Sequence, residues 1–477
     1  MAVRALEATP PLCVDLDGTL IKSDVLFESL LLLLKKNPFF LFLLPLWLLR
    51  GKAALKAQIA ARVSLDPAAL PYNREFVDWL RVQHATGRSL WLCTATNERL
   101  AAGIAAHVGL FDGVLASDAA TNLAGAAKAD QLVSKFGEGG FDYCGNERRD
   151  LAVWRRARGA IVVNGSRGLE QQAGAQTKLL QAFPAKAQPL RAALKALRPH
   201  QWAKNVLILV PLLAAHVHEG PRLTQTVFAM IAFCLCASSV YVLNDLLDLP
   251  ADRVHVRKSR RPFAAGDLSL AAGFIMAPTL LAMAVIVAAF LPVKFQWVFA
   301  TYYVVTASYS FALKGIVIVD ALLLAGLYTL RIIAGAAATE VPLSFWLLLF
   351  AVFLFLSLAF VKRFAELDSL RRQNRLHAAG RGYTVEDLPL LQSLGISSGY
   401  LSVLVLALYI NSPEIQALYH RPKFIWILCV LMLYWISRVW MKAQRGRMHD
   451  DPVVFALKDR VSLAIGLMAA VTVVAAV

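Results

Sequence analysis

Residues 244–266 read NDLLDLPADRVHVRKSRRPFAAG and set three aspartates and a dense run of cations against the end of a long apolar segment. Residues 223–243 are long and apolar enough to enter a bilayer, so Asn244, Asp245 and Asp248 fall where a helix leaves the hydrocarbon. Charge is costly there unless it is used. Residues four apart share a helix face, which points Asn244 and Asp248 the same way with Asp245 beside them. Pro250 disfavours helix at Leu249 and is expected to leave Asp252, Arg253 and His255 in a loop. These residue types suit a Mg²⁺-bound diphosphate. Mg²⁺ takes one or two carboxylates plus substrate oxygens, and Lys258, Arg260 and Arg261 can neutralise the remaining phosphate charge.

A second group of chemistry-bearing residues lies near the start of the chain. LCVDLDGT, residues 12–19, reads as a buried strand ending in two carboxylates and a glycine turn. It resembles the DxDGT motif of the haloacid dehalogenase superfamily of phosphatases and phosphotransferases. Three further motifs follow in the family's order: SLWLCT ending at Thr94, AAKAD with Lys128, and FDYCGNERRD with Asn146 and Asp150. The resemblance implies that Asp15 is the nucleophile and Asp17 the acid/base for the leaving oxygen. It makes Thr94 a hydroxyl donor to the phosphoryl oxygens, Lys128 the partner of the phospho-aspartate, and Asp150 the Mg²⁺ partner of Asp15 and Asp17. Asn146 stands where the family usually has an aspartate. Its amide oxygen can still serve the metal or a water on it.

The elements that must position these groups follow from composition. The chain has 477 residues, is 58% hydrophobic and has a mean hydropathy of +0.56, beyond an ordinary soluble protein. The formal charge is +17, but Lys and Arg fall largely between apolar spans, so nucleic-acid binding is not expected. Six cysteines without metal-type spacing read as reduced packing residues. No cleavable leader is expected, because the first apolar stretch already carries Asp15 and Asp17.

Residues 1–185 alternate short apolar runs with helical patterns, as an α/β domain does. Within them, residues 30–50 (LLLLLKKNPFFLFLLPLWLLR) are unusually apolar, yet Lys35, Lys36, Pro38 and Pro45 cut the stretch into pieces too short to span. Two readings stay open: a segment in the membrane interface with Phe39, Phe40 and Trp47 buried, or a buried helix pair capping the domain. Residues 186–197 read as a linker. Beyond it about nine spans are expected, at 205–217, 223–248, 271–291, 295–313, 316–338, 343–361, 392–411, 423–441 and 461–477. Trp202 is placed as an interface anchor. The loops at 253–261, 362–381 and 438–460 are basic, whereas those around Glu219, Pro292, Glu340 and Glu414 are not. The basic loops and the N-terminal domain are therefore expected on the cytoplasmic side of a bacterial inner membrane.

The pattern Asn244-Asp245-x-x-Asp248-x-x-x-Asp252, followed by Lys258 and Arg261, resembles the first aspartate-rich motif of the UbiA superfamily of intramembrane prenyltransferases. The expected fold is thus an N-terminal α/β haloacid dehalogenase-like (Rossmannoid) domain, residues 1–185, fused to an all-α polytopic membrane domain, residues 198–477. Lys314 precedes a span holding Asp320, Tyr328 and Arg331, charges that are costly in an apolar helix unless paired or functional. The second acidic motif is reduced to Glu366 and Asp368, directly after Lys362 and Arg363. The resemblance narrows to the decaprenyl-phosphate phosphoribosyltransferase branch through RPHQWAKN (198–205), Asn244, KRFAE (362–366) and DPVVFALKDR (451–460).

That resemblance implies Mg²⁺-dependent transfer of 5-phosphoribosyl from phosphoribosyl diphosphate to a polyprenyl phosphate. Asn244, Asp245 and Asp248 would serve the reaction, the two aspartates as metal ligands. Lys204, Asp252, Arg253, Lys258, Arg261, Lys314, Arg331, Lys362, Arg363 and Glu366 would hold substrate. The N-terminal domain would then remove the 5-phosphate, giving a lipid-linked pentose donor for cell-envelope glycans. The alternative is prenyl transfer from an isoprenyl diphosphate to an aromatic or lipid acceptor, with an inactive or regulatory N-terminal domain. Membrane lipid is the expected surrounding, and self-association is left open.

Overall fold

The structure is a computed structural model that describes residues 9–185, 188–216, 219–255, 257–376, 381–412, 419–448 and 451–476. The chain divides into two compact units. The first joins the described residues up to Leu197 with Tyr241–Ala277; the second joins Arg198–Val240 with Pro278 onward. The aspartate-rich motif thus belongs to the first unit. The stretch read as a linker holds a helix, Pro189–Ala196.

The first unit is built on a six-stranded parallel sheet: β1 Leu12–Val14, β2 Leu90–Asn97, β3 Gly113–Ser117, β4 Asp142–Gly145, β5 Gly159–Gly165 and β6 Lys178–Pro184, in the order β3-β2-β1-β4-β5-β6. Strands buried on both faces read as continuous apolar runs, and LCV and GAIVV do so. One core cluster joins Leu12 and Val14 to Leu92, Phe76 and Ile161, and another joins Cys13 to Tyr143, Trp154 and Val162. β1 pairs with β2 on one side and β4 on the other, so the strand order reverses at its carboxyl end. A crevice opens at such a switch point, and Asp15 and Asp17 stand at it. All six cysteines are free, as a packing role requires.

In the second half, six helices among the described residues are long and apolar enough to cross a membrane: Gly220–Leu247, Leu270–Ala289, Val319–Thr339, Phe345–Arg372, Val385–Ile410 and Lys423–Gln444. A seventh results if the pair Pro452–Lys458 and Arg460–Ala476, bent by 79°, counts as one. Two of the nine expected spans do not meet this measure. Residues 199–209 wind as a 3₁₀ segment and pass into the five-residue helix Val210–Ala214. Val293–Phe311 is helical, but Lys294, Gln296 and its Thr, Ser and Tyr residues lower its apolarity. The loop around Glu414 lies outside the described residues.

Close approach positions the second unit. A Cβ on Gly335 would lie 2.0 Å from the carbonyl oxygen of Ile208, so helix Val319–Thr339 meets the 3₁₀ segment backbone to side-chain-free backbone. Lys204 and Asn205 are carried by that segment. Gly335→Leu is expected to lower the thermal unfolding midpoint of the purified protein in detergent by several degrees. Gly326→Ala, on the same helix with no atom within 4 Å of its added Cβ, should leave it unchanged.

Candidate functional site

In the first unit, the turn after β1 places Asp15 against Lys128, whose Nζ lies 2.9 Å from Asp15 Oδ1 and 2.8 Å from the Tyr143 hydroxyl. Tyr143 in turn donates to Asp150 Oδ1 at 3.1 Å. Asp17 accepts the Val25 N–H at 2.8 Å and the Thr96 hydroxyl at 2.9 Å. Gly18 makes the turn at φ +74°, where any Cβ would strike the Asn146 amide. These residues line a cavity of about 1390 Å³.

Two expected residues sit differently. The Thr94 hydroxyl is wholly buried and accepts the Thr96 N–H at 3.0 Å, so Thr96 is the hydroxyl that faces the cavity. Residues two apart on a strand share a face, but the β2–β3 register shifts between Cys93 and Asn97 and turns Thr96 toward Asp17. Asp150 has both oxygens engaged, Oδ2 accepting the N–H groups of Asn146 (2.9 Å) and Glu147 (3.0 Å). It therefore shapes the loop that carries Asn146. Sequence reading also passed over Lys56, whose Nζ reaches the Ala95 carbonyl (2.6 Å) and Asn122 (3.0 Å) at the cavity wall.

The two aspartates are electrostatically unequal. Burial pushes Asp15 up to about 6, although the neighbouring Lys128 ammonium opposes the rise. Burial pushes Asp17 further, to about 8, reinforced by the carboxylates of Asp24 and Asp15. A carboxylate that ionises more readily beside one that keeps its proton is the pairing that separates nucleophile from acid.

The aspartate-rich motif ends helix Gly220–Leu247, and Pro250 sits in the first turn of a new helix, Leu249–Val254. Asp252 and Arg253 are therefore helical, not in a loop: proline at a first turn gives up an N–H that would go unpaired anyway. Arg261 bridges Asp245 (3.1 Å) and Asp252 (2.5 Å), and the exposed Lys258 lies 3.9 Å from Asp252. Asn244 and Asp248 are half-buried, and Arg260 is exposed. Arg253, expected at substrate, is instead tied to Glu28 in a buried ion pair and donates to the carbonyls of Ala69 and Ala264.

In the second unit two lysines converge on one carboxylate. Lys204 and Lys362 reach Asp451 Oδ2 at 2.9 and 3.0 Å, and the Tyr328 hydroxyl donates to the same side chain at 2.9 Å. Asp451 also caps helix Pro452–Lys458 through the Val453 N–H. Arg331, under the same Tyr328 ring, is held by Asn205 Oδ1 (3.0 Å) and donates to the Tyr302 hydroxyl (2.8 Å). Trp202 donates to Ser238.

Asp320 does not pair with Arg331. It is bound by Arg363 and by the Tyr309 hydroxyl at 2.7 Å, with Arg381 at 3.6 Å. Ile318, at φ +67°, gives its N–H to the Tyr383 hydroxyl and sets Asp320 in the first turn of its helix. Arg363 also binds Glu366 (2.6 Å), which Arg381 approaches at 3.4 Å, and Asp368 takes Arg371 and Arg372. Arg363 and Glu366, expected at substrate, thus belong to a charge-balanced cluster in which Arg363 is 1% exposed. Lys314 is half-buried between helices.

Among the described residues no three Asp, Glu, His or Cys side chains converge into a ready metal shell. The donors are pairs: Asp15 with Asp17, and Asp245 with Asp252, the latter already gathered on one cation. Such pairs fit Mg²⁺, which fills its other positions with water and phosphate oxygens.

Comparison with known proteins bears on the whole chain. A family model described as the UbiA prenyltransferase family matches residues 205–465. An uncharacterized protein, y4nM, of Sinorhizobium fredii is 37% identical over 96% of this chain and 90% of its own length. The nodulation protein NoeC of Azorhizobium caulinodans is 35% identical over 58% of this chain and 90% of its own. Decaprenyl-phosphate phosphoribosyltransferase of Mycolicibacterium smegmatis is 37% identical over 38% of this chain; the chain spans 58% of that relative's length. A solved UbiA homolog from Archaeoglobus fulgidus, bound to GPP and Mg²⁺, superposes with a TM-score of 0.47 at 15% identity, over 59% of this chain and 97% of that one. With more than half of its length matched by the family model and its long apolar helices, the chain is an integral membrane protein and belongs to the UbiA prenyltransferase family.

Proposed function

We propose that the chain transfers 5-phosphoribosyl from phosphoribosyl diphosphate to a polyprenyl phosphate, and that its N-terminal domain is a haloacid dehalogenase-like phosphatase that removes the 5-phosphate. The observation that carries the transferase is the meeting of Lys204 and Lys362 on Asp451. Among the described residues two ammonium groups share one carboxylate, with Arg331 stacked on the same tyrosine. A phosphate group is a natural complement of the two lysines. The phosphoribosyltransferase name of relatives at 37% identity supports the donor.

The prenyl-transfer alternative asks two acidic motifs to hold a prenyl diphosphate. Here Glu366 and Asp368 are taken up by arginines, which disfavours it. In the proposed reaction the bond from C1 of ribose to the diphosphate breaks as a lipid phosphate oxygen bonds to C1. An ionised phosphate needs no general base, so alignment and charge neutralisation carry the catalysis. Asp245 and Asp248, with Asp252, would hold a Mg²⁺ that neutralises the leaving diphosphate. In the N-terminal site Asp15 attacks phosphorus, Asp17 gives its proton to the leaving oxygen, Lys128 balances the charge, and water then releases phosphate. The basic loops support a cytoplasmic side of a bacterial inner membrane for both sites.

Purified protein given a polyprenyl phosphate, Mg²⁺ and ribose-labelled phosphoribosyl diphosphate should form lipid-extractable label; none forming would overturn the transferase. Lys204→Ala and Lys362→Ala should each cut that rate about 10²-fold. Asp15→Asn should form lipid-linked label at the wild-type rate but keep the 5-phosphate, read as loss of inorganic phosphate release.

The raised Asp17 also has a stability signature without metal. Its carboxyl stays protonated in the fold up to about pH 8, while the unfolded chain ionises it from about 3.8, so the fold binds more protons between those values. Stability in EDTA should therefore fall as pH rises through that window. Asp17→Asn should flatten the fall, measured as unfolding midpoints at a series of pH values.

A further inference from the structure

We propose that the segment Pro38–Leu49 docks on the surface of the bilayer that holds the rest of the chain, as an element that lies in the interface without crossing it. The segment is a 3₁₀ turn, Pro38–Phe42, followed by the helix Leu44–Leu49. One face is satisfied internally. Trp47 packs with Leu33, Ile59 and Val63, Phe40 tilts against it at 5.9 Å, and the Arg62 guanidinium lies 4.8 Å above its ring. The other face has no partner among the described residues: Phe39, Phe42 and Leu49 are 74%, 73% and 84% exposed, and Leu41, Leu43, Leu46 and Leu48 are also exposed. Seven large apolar side chains on twelve residues form a patch that a soluble surface does not keep.

Charge identifies what covers it. Lys35, Lys36, Arg50 and Lys52 flank the patch and are exposed, and no acidic residue occurs between Glu28 and Asp66. A second copy seated on this face would bring two such cation sets together with no carboxylate in the segment to offset them. Anionic lipid headgroups supply the missing charge, and acyl chains accept the aromatic and leucine side chains. At roughly 1.5–2 Å per residue the segment covers at most about 24 Å, less than the hydrocarbon thickness, so it lies in the interface. The membrane helices of the same chain keep a bilayer within reach.

Docking also bears on substrate, a step that rests on the phosphatase reading above. Leu48, Lys52, Leu55, Lys56 and Ile59 line the cavity that holds Asp15 and Asp17. The wall of that cavity is thus continuous with the lipid-facing segment, which suits a phosphomonoester carried on a membrane lipid.

The test uses the full chain at one copy per nanodisc, with a polarity-sensitive fluorophore on Phe42→Cys and brominated acyl chains as quencher. The unmodified protein sets the labelling background from native cysteines. The Phe42 label is expected to be blue-shifted and quenched, more strongly when anionic lipid is present, while a label at Val82→Cys on helix Arg74–Ala85 stays water-like. A water-like, unquenched Phe42 label overturns the proposal, and so does a blue shift that appears only with two copies per disc. This readout needs no activity, so its failure is distinct from failure of the phosphatase reading. F39D/F42D/L49D, changed only at exposed positions, should keep hydrolysis of a soluble phosphomonoester at the wild-type rate and lose most turnover of a lipid-borne one. Equal loss on both substrates overturns the substrate step.

Discussion

Asp451 is the carboxylate on which the second unit turns. It draws Lys204 from the 3₁₀ segment, Lys362 from helix Phe345–Arg372 and the Tyr328 hydroxyl from helix Val319–Thr339 onto the start of helix Pro452–Lys458. Four stretches far apart in sequence are thereby fixed in one arrangement. Without that carboxylate, two buried or half-buried ammonium groups would face each other with no counter-ion, and the fold would have to open or release a proton. The interaction that organises the unit thus sets two ammonium groups against one carboxylate among the described residues.

The contrast with the neighbouring cluster gives this its meaning. Asp320, Arg363, Glu366 and Arg381 balance one another, and Arg363 is almost wholly enclosed. A balanced, enclosed group of charges holds helices together and has little left to offer a ligand. The Asp451 group sets two lysines against one carboxylate among the described residues and is partly open, with Lys362 at 33% exposure. Charge within a membrane helix thus has two uses in one protein, told apart only by counting partners.

That count is what sequence could not supply. The UbiA resemblance was legible because its residues sit within short windows, as in RPHQWAKN and the Asn244–Asp252 pattern, and a parallel sheet was legible from LCV-like runs. Pairings across long separations were not. Lys204 and Asp451 are 247 residues apart, and Arg253 and Glu28 are 225 apart. A lone glutamate in VLFESLLLLLKK was a hint that a buried cation must exist, without saying which. Thr96 was hidden for another reason, since a shift of register within β2 decides which of two hydroxyls meets Asp17. Nor could hydropathy reveal that residues 199–209 wind as 3₁₀, so that this expected span is not a long helix.

The Arg253–Glu28 pair has a bearing on modularity. Asp17 accepts the N–H of Val25 at the start of helix Val25–Lys36; Glu28, on its first turn, holds Arg253; and Arg253 is joined by one peptide bond to Asp252, itself tied through Arg261 to Asp245. A fragment ending at residue 185 would lose the guanidinium that pairs with Glu28 and the stretch of chain that carries it. The boundary suggested by sequence motifs thus differs from the division into compact units, in which Tyr241–Ala277 joins the N-terminal residues. What reads in sequence as a detachable domain shares a buried ion pair with a stretch of chain near the end of the first long apolar helix.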